Sequence, residues 1–289
     1  MKRLVKSYLK KLRGEGLGRS VTALARWSLC SIIPQDWIYK VMRRRHEFLS
    51  IKLDRQLDST VKYGQFKGLK FSAESSWSLE DRAGMLLGLY EKEVLEELQQ
   101  SSDKHGIFVD LGAADGYYGV GVLVSDMFRT AYCFEATEAG QNAIKTNARL
   151  NGVSDRIVVK GIATKDFHKE FPPADIQSCV ILVDIEGGEF GLFDEETFRA
   201  FSGAVIIIEI HDFLVDEGKA KVQRLLDAAA HTHRYKKIVT GSRDLSGFPE
   251  VADYIDYDRW LICSERRRQL PSWIRFDPLA PAHDGTLTP

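Results

Sequence analysis

The segment Val109-Asp110-Leu111-Gly112-Ala113-Ala114-Asp115-Gly116-Tyr117-Tyr118-Gly119 passes from an apolar stretch through a glycine turn into helical spacing. A turn at the carboxyl end of a first strand is where open α/β sheets bind ligands. A dinucleotide requires glycine at the first, third and sixth turn positions, so that its pyrophosphate can approach the backbone at a helix N-terminus. Those positions hold Gly112, Ala114 and Tyr117, and two of the three do not fit. Asp110 would repel a pyrophosphate, whereas its carboxylate suits the ammonium group of an amino-acid ligand. The turn favours S-adenosylmethionine over NAD.

Three further groups of polar residues fall at strand ends. Glu135 follows Gly116 by 19 residues, where a carboxylate can accept hydrogen bonds from both hydroxyls of a ribose. Val183-Asp184-Ile185-Glu186-Gly187-Gly188-Glu189 brings together three acids, which either bind a cation or raise one another's pKa. Glu186 and Glu189 also suit a helix N-terminus, so Asp184 at the strand tip is the functional candidate. In Ile208-Glu209-Ile210-His211-Asp212, strand alternation puts Glu209 and His211 on one face. His211 and Asp184 are therefore candidates for a general base or for a shared divalent metal ion, while Asp212 suits a helix N-cap. His46, His105, His168, His231 and His233 sit in polar stretches expected at the surface.

These residues need a scaffold, and the alternation of apolar runs supplies one. Strands are expected at 107–111, 131–135, 157–161, 179–184 and 204–210, with helices at 117–127, 137–151, 190–201 and 214–230. This alternation predicts an α/β fold: a Rossmann-like, doubly wound sheet that is mostly parallel. Runs at 235–240 and 259–264 read as two further strands without a helix between them, hence an antiparallel edge hairpin. Upstream, residues 58–80 suggest a small hairpin or loop-rich linker leading into a helix over 79–99.

Length and charge set the outer limits. The 289 residues, 44% hydrophobic and 28% charged, accommodate one large domain with appendages and exclude fibrous or wholly disordered classes. Residues 1–50 carry 12 Lys/Arg against 3 Asp/Glu, whereas the remainder carries 28 against 38. The basic arm has amphipathic helical spacing, compatible either with docking on the domain or with an anionic membrane surface. Its best apolar stretch, residues 21–33, is too short to span a bilayer and contains Arg26. With no recognisable secretory leader, the chain reads as cytoplasmic, with peripheral contact at the inner membrane face open to residues 1–50. Cys30, Cys133, Cys179 and Cys263 lack metal or disulfide spacing and read as reduced core thiols.

The order VDLGAADGYYG, CFEA, ARLNG, ILVDIEGGEFGLF and IIIEIHD resembles the FkbM-type family of class I S-adenosylmethionine-dependent methyltransferases over roughly residues 85–264. The Asp-hydrophobic-Glu-Gly-x-Glu element is the more specific mark. Gly88-Leu89-Tyr90-Glu91 also looks like the helix that leads into the family's first strand. The resemblance implies the class I methyltransferase architecture and a cofactor resting on Asp110, Gly112, Ala113 and Gly116, with Glu135 at its ribose. Thr164 and Asp166 fall where class I enzymes hold the adenine. It further implies O-methylation of a sugar, polysaccharide or specialised metabolite, with His211 or Asp184 as base or as holders of a divalent metal ion. The competing expectation is a non-catalytic accessory protein of a polysaccharide-assembly complex. The expected partner is a hydroxyl-bearing acceptor and not a specific nucleic-acid sequence. The expected layout is a basic helical arm at 1–60, a linker and lead-in helix at 61–100, the cofactor-binding domain at 101–266 and a tail at 267–289.

Overall fold

The computed structural model describes residues 34–73, 79–267 and 272–279. The chain divides into two compact units between Phe48 and Leu49. Among the described residues the helices are α1 (Gln35–Gln56), α2 (Arg82–Leu86), α3 (Lys92–Gln100), α4 (Tyr117–Val124), α5 (Glu138–Leu150), α6 (Pro173–Ile176), α7 (Glu189–Leu192), α8 (Glu195–Ala200), α9 (Gly218–Ala229) and α10 (Asp256–Ile262). The strands are β1 (Asp103–Leu111), β2 (Phe128–Phe134), β3 (Ile157–Lys160), β4 (Val180–Val183), β5 (Val205–Glu209), β6 (His233–Ile238) and β7 (Trp273–Pro278).

They form one seven-stranded sheet in the order β3-β2-β1-β4-β5-β7-β6, with β7 antiparallel to both neighbours and the other pairings parallel. Near-continuous apolar runs specify the central strands, because a parallel sheet covered by helices is buried on both faces. Ile107, Val109 and Leu111 of β1 join Ile181, Val183, Ile206 and Ile208 in one core layer. Phe108, Leu182 and Ile207 face the opposite layer. Helix α5 shows the matching 3.6-residue logic: Gly140, Ala143, Ile144, Asn147 and Ala148 are its buried face, and Thr137 caps it by accepting from Gly140 N–H at 3.1 Å.

The doubly wound, mostly parallel sheet agrees with the sequence expectation, and so does an antiparallel pair at one edge. Its composition differs. The run at 259–264 lies at the end of α10 and beyond it, not in a strand. Acids Asp256 and Asp258 in the first turn, and burial of Asp258 and Ile262 four residues apart, suit a helix there. The strand that pairs with β6 is β7, inside the segment 267–289 expected as a tail. Two expected helices are also divided. The stretch 79–99 breaks between α2 and α3, where Gly88 and Glu91 adopt φ of 65° and 46°. The stretch 190–201 breaks at Asp194, whose carboxylate accepts from Thr197 N–H at 3.0 Å to start α8. The small hairpin upstream is present, closed by an antiparallel bridge between Thr60 and Lys70. Asn151 fastens it, accepting from Lys70 N–H at 2.8 Å and donating to Lys70 C=O at 2.7 Å.

Two of the histidines expected at the surface, His46 and His233, are buried. His233 opens β6 with Nε2 3.0 Å from the Ala204 carbonyl and Nδ1 2.8 Å from Thr232 Oγ1. A carbonyl can only accept, so Nε2 carries a proton. Burial lowers its pKa from 6.5, against the Ala204 and Phe201 backbone and Asp277, which raise it. The unfolded chain then binds more protons than the folded one below the ordinary value, so stability is full above pH 6.5 and declines as the pH falls. Urea midpoints compared at about pH 7.5 and about pH 5.5 should therefore drop further for wild type than for His233→Gln.

Candidate functional site

The β1–α4 turn gains its shape from close backbone approach. Gly112 has φ of 91°, and a Cβ there would lie 1.8 Å from the carbonyl oxygen of Asp184. Only glycine allows the ends of β1 and β4 to meet so closely. The Gly112 and Ala113 N–H groups both donate to Phe134 C=O, at 2.9 and 3.0 Å, which joins the turn to the end of β2. Beside it, Glu135 accepts from Ala114 N–H at 3.0 Å with one oxygen, and with the other from Thr137 N–H at 2.8 Å and Thr137 Oγ1–H at 2.6 Å. Asp110 is buried and accepts from Gly119 N–H at 3.1 Å. Burial pushes its carboxyl up to about 8; the Gly119 bond opposes this, and Asp184, Glu135 and Asp115 add to it.

These residues line one cavity with Gly112, Ala113, Ala114, Asp184 and Glu186. The Asp184–Glu186 wall of this cavity is backed by His211, a buried residue just past β5. Its Nε2 lies 3.6 Å from Asp184 Oδ1, 3.6 Å from Glu186 Oε2 and 3.7 Å from Glu209 Oε2. Glu189, fully buried at the first position of α7, holds this wall together. It accepts from Gly187 N–H and His211 N–H, both at 2.8 Å. Burial disfavours a charged imidazole, but Glu189, Asp184 and Glu186 outweigh it and raise the His211 pKa. Burial pushes Asp184 up to about 6 even though His211 draws it down. Burial, then Asp184 and Glu186, push Glu209 up to about 9.

An arginine balances the acids from behind. Arg267 donates to Glu209 Oε1 and to Glu91 Oε1, and Tyr118 O–H donates to the other oxygen of Glu91. Glu91 is buried and left-handed; Ala114 and Glu186 at the cavity share that conformation, with φ of 49° and 51°. Such backbone costs of order 1–3 kcal/mol per residue and is found where a site fixes the chain.

The structure thus brings Asp110, Gly112, Ala113, Glu135, Asp184 and His211 to one cavity or its wall, with Gly116 closing the turn as the N-cap of α4. Asp166 and Thr164 are exposed and lie apart from that lining; Asp166 bonds Lys169 Nζ at 2.7 Å. Asp212 caps nothing: it opens a short 3-10 turn, and Glu217 occupies the N-cap position of α9. Sequence reading undervalued Glu189, whose helix-start position concealed its buried bonds, and missed Arg267, which carries no motif. Tyr117, which lines the cavity, is a core residue packed against Phe66 and Tyr90.

Asp184, Glu186 and His211 can each offer one atom within 4.8 Å of the others, a donor set suited to a divalent ion. Asp184 Oδ1 is buried without a hydrogen-bond partner, as a ligand-seeking oxygen would be. The acid-rich cavity suits a cationic ligand, because a positive charge beside Asp110 would stabilise the ionised form that burial disfavours.

Comparison with known proteins bears on this site. The family described as methyltransferase FkbM domain matches residues 87–256, more than half of the chain. No curated protein sequence matches it. Among solved structures, precorrin-6y C5,15-methyltransferase from Geobacter metallireducens GS-15 is 12% identical, covering 66% of this chain and 89% of that one at a TM-score of 0.43. An rRNA methylase from Streptococcus thermophilus is 11% identical, covering 66% and 96% at 0.43. TYW2 of M. jannaschii, solved in complex with AdoMet, is 12% identical, covering 66% and 78% at 0.38.

Because each Glu189 oxygen accepts from a backbone donor, Glu189→Gln turns an NH2 toward one of them. The expected cost is about 1–3 kcal/mol, read as a lowered urea midpoint with an unchanged m-value.

Proposed function

We propose that this chain, which belongs to the FkbM methyltransferase family and is an S-adenosylmethionine-dependent methyltransferase, methylates a hydroxyl oxygen of a sugar, polysaccharide or specialised metabolite. The observation that carries the reading is one cavity with an acidic cofactor side, Asp110 and Glu135, and a buried imidazole backing its Asp184–Glu186 wall.

The residues present fit the cofactor. Asp110 offers a charge partner for its ammonium group, and Glu135 retains lone pairs for the ribose hydroxyls beyond its three bonds to the protein. The bare approach at Gly112 leaves room beside the backbone. When bound, the cofactor supplies an electrophilic methyl group on a sulfonium. The chain's own part is to orient an acceptor hydroxyl and take its proton. His211 Nε2 and Asp184 Oδ1 form the proton-accepting wall, and Glu189 fixes the backbone that carries His211.

A second reading of the same wall rests on the partnerless Asp184 Oδ1. There, Asp184, Glu186 and His211 hold a divalent ion, which when bound would lower the pKa of the acceptor hydroxyl. Chelation separates the two: turnover unchanged by EDTA leaves direct proton transfer, and turnover lost to EDTA and restored by a divalent ion selects the metal.

Calorimetry with S-adenosylmethionine should show binding that Asp110→Ala and Glu135→Ala each weaken by at least about tenfold, as expected for loss of a charge-assisted bond. In a screen of sugar and metabolite hydroxyls followed by S-adenosylhomocysteine release, His211→Gln and Asp184→Asn should cut turnover by about 10²–10⁴-fold with cofactor affinity little changed. Absence of cofactor binding by folded wild type would overturn the reading. Binding without turnover on any hydroxyl would favour the accessory-protein alternative.

A further inference from the structure

We propose that the first half of α1 is a peripheral membrane helix that lies on an anionic lipid surface through Trp37, Val41 and Phe48. Between Gln35 and Phe48 the helix exposes an unusual set of large apolar side chains: Trp37 is 66% exposed, Val41 61%, Phe48 57%, Ile38 48% and Met42 43%. Farther along the same helix, Leu49 and Leu53 are buried in a hydrophobic cluster. At ~100° per residue, Trp37, Phe48, Val41, Ile38 and Met42 fall within an arc of roughly 140°. An apolar stripe of that width on a helix surface, interrupted only by Arg45, marks a binding face.

The charges identify what the face meets. Lys40 and Arg44 border the arc, and the Arg45 guanidinium, which falls within it, lies 5.4 Å from the centre of the Phe48 ring. Residues 36–48 carry Lys40, Arg43, Arg44 and Arg45 against Asp36 and Glu47, and residues 1–50 as a whole carry 12 basic side chains against 3 acidic ones. A second copy would bring two such basic segments together, whereas an anionic bilayer attracts them while the apolar arc enters the headgroup boundary. Lysine and arginine stems can lie along the arc and keep their charges at the headgroups. No helix among the described residues is long and apolar enough to cross a membrane, so contact is along the surface.

The full-length protein should co-sediment with phosphatidylcholine vesicles containing about one third phosphatidylglycerol and be released by high salt, and should not bind phosphatidylcholine alone. The triple substitution Trp37→Ser, Val41→Ser, Phe48→Ser and, separately, Lys40→Glu with Arg44→Glu should each weaken binding by about tenfold or more, with the thermal midpoint unchanged. Failure of wild type to bind the anionic vesicles would overturn the proposal. So would binding that survives both sets of substitutions, which would place the contact elsewhere in the chain. A change from dimer to monomer in the apolar variant, without an effect on vesicles, would assign the face to a second copy instead.

Discussion

The carboxyl edge of the sheet concentrates more negative charge than it neutralises. Asp110, Glu135, Asp184, Glu186, Glu189 and Glu209 meet within or behind one cavity, and Arg267 is the cation bonded to Glu209 there. Acids crowded into a poorly solvated space resist ionisation unless a cation joins them: the carboxyls of Asp110, Asp184 and Glu209 are all pushed up, and a positive ligand would stabilise their charged forms. A sulfonium and an ammonium on one small molecule supply that positive charge, and a pyrophosphate does not.

Concentrating the acids requires rigid backbone beneath them. The approach of Gly112 to Asp184 brings β1 and β4 together at their tips, and Glu189 fastens the following loop to the end of β5. The left-handed Ala114 and Glu186 lie within the glycine turn and the acidic loop themselves, so conformational strain lies in the two segments that line the cavity. A fixed wall of this kind holds imidazole and carboxylate at 3.6 Å without a hydrogen bond between them, an arrangement that leaves both able to engage a third group.

Much of this was legible in the sequence, for physical reasons. Buried parallel strands need uninterrupted apolar runs, so β1, β2, β4 and β5 stood out, and residues at their carboxyl ends, Asp110, Glu135, Asp184 and His211, followed from topology. What depended on local balance was less visible. The 259–264 run has strand-like composition, yet two acids at a helix start and buried residues four apart suit a helix. Glu189 read as a favourable helix-start acid because sequence does not report that its side chain turns inward. Arg267 has one partner close in sequence, Glu265, but the two that tie it to the site, Glu91 and Glu209, are distant along the chain. Asp166, placed by family likeness rather than by any pattern of its own, lies at the surface with Lys169.

The position of β7 gives the fold a temporal order. It is made after β6, yet it sits between β5 and β6 and pairs with both. During synthesis, Val205–Glu209 and His233–Ile238 must therefore wait with unpaired backbone edges until Trp273–Pro278 leaves the ribosome. Closure of these distant pairings is slow because the intervening chain must first be ordered. The β5 edge exposed in that interval is Val-Ile-Ile-Ile-Glu, an apolar template for pairing with other chains, whereas β6 carries Lys236 and Lys237 as protection. A nascent chain of this protein is thus most prone to aggregation late, when nearly all of the domain has already been made.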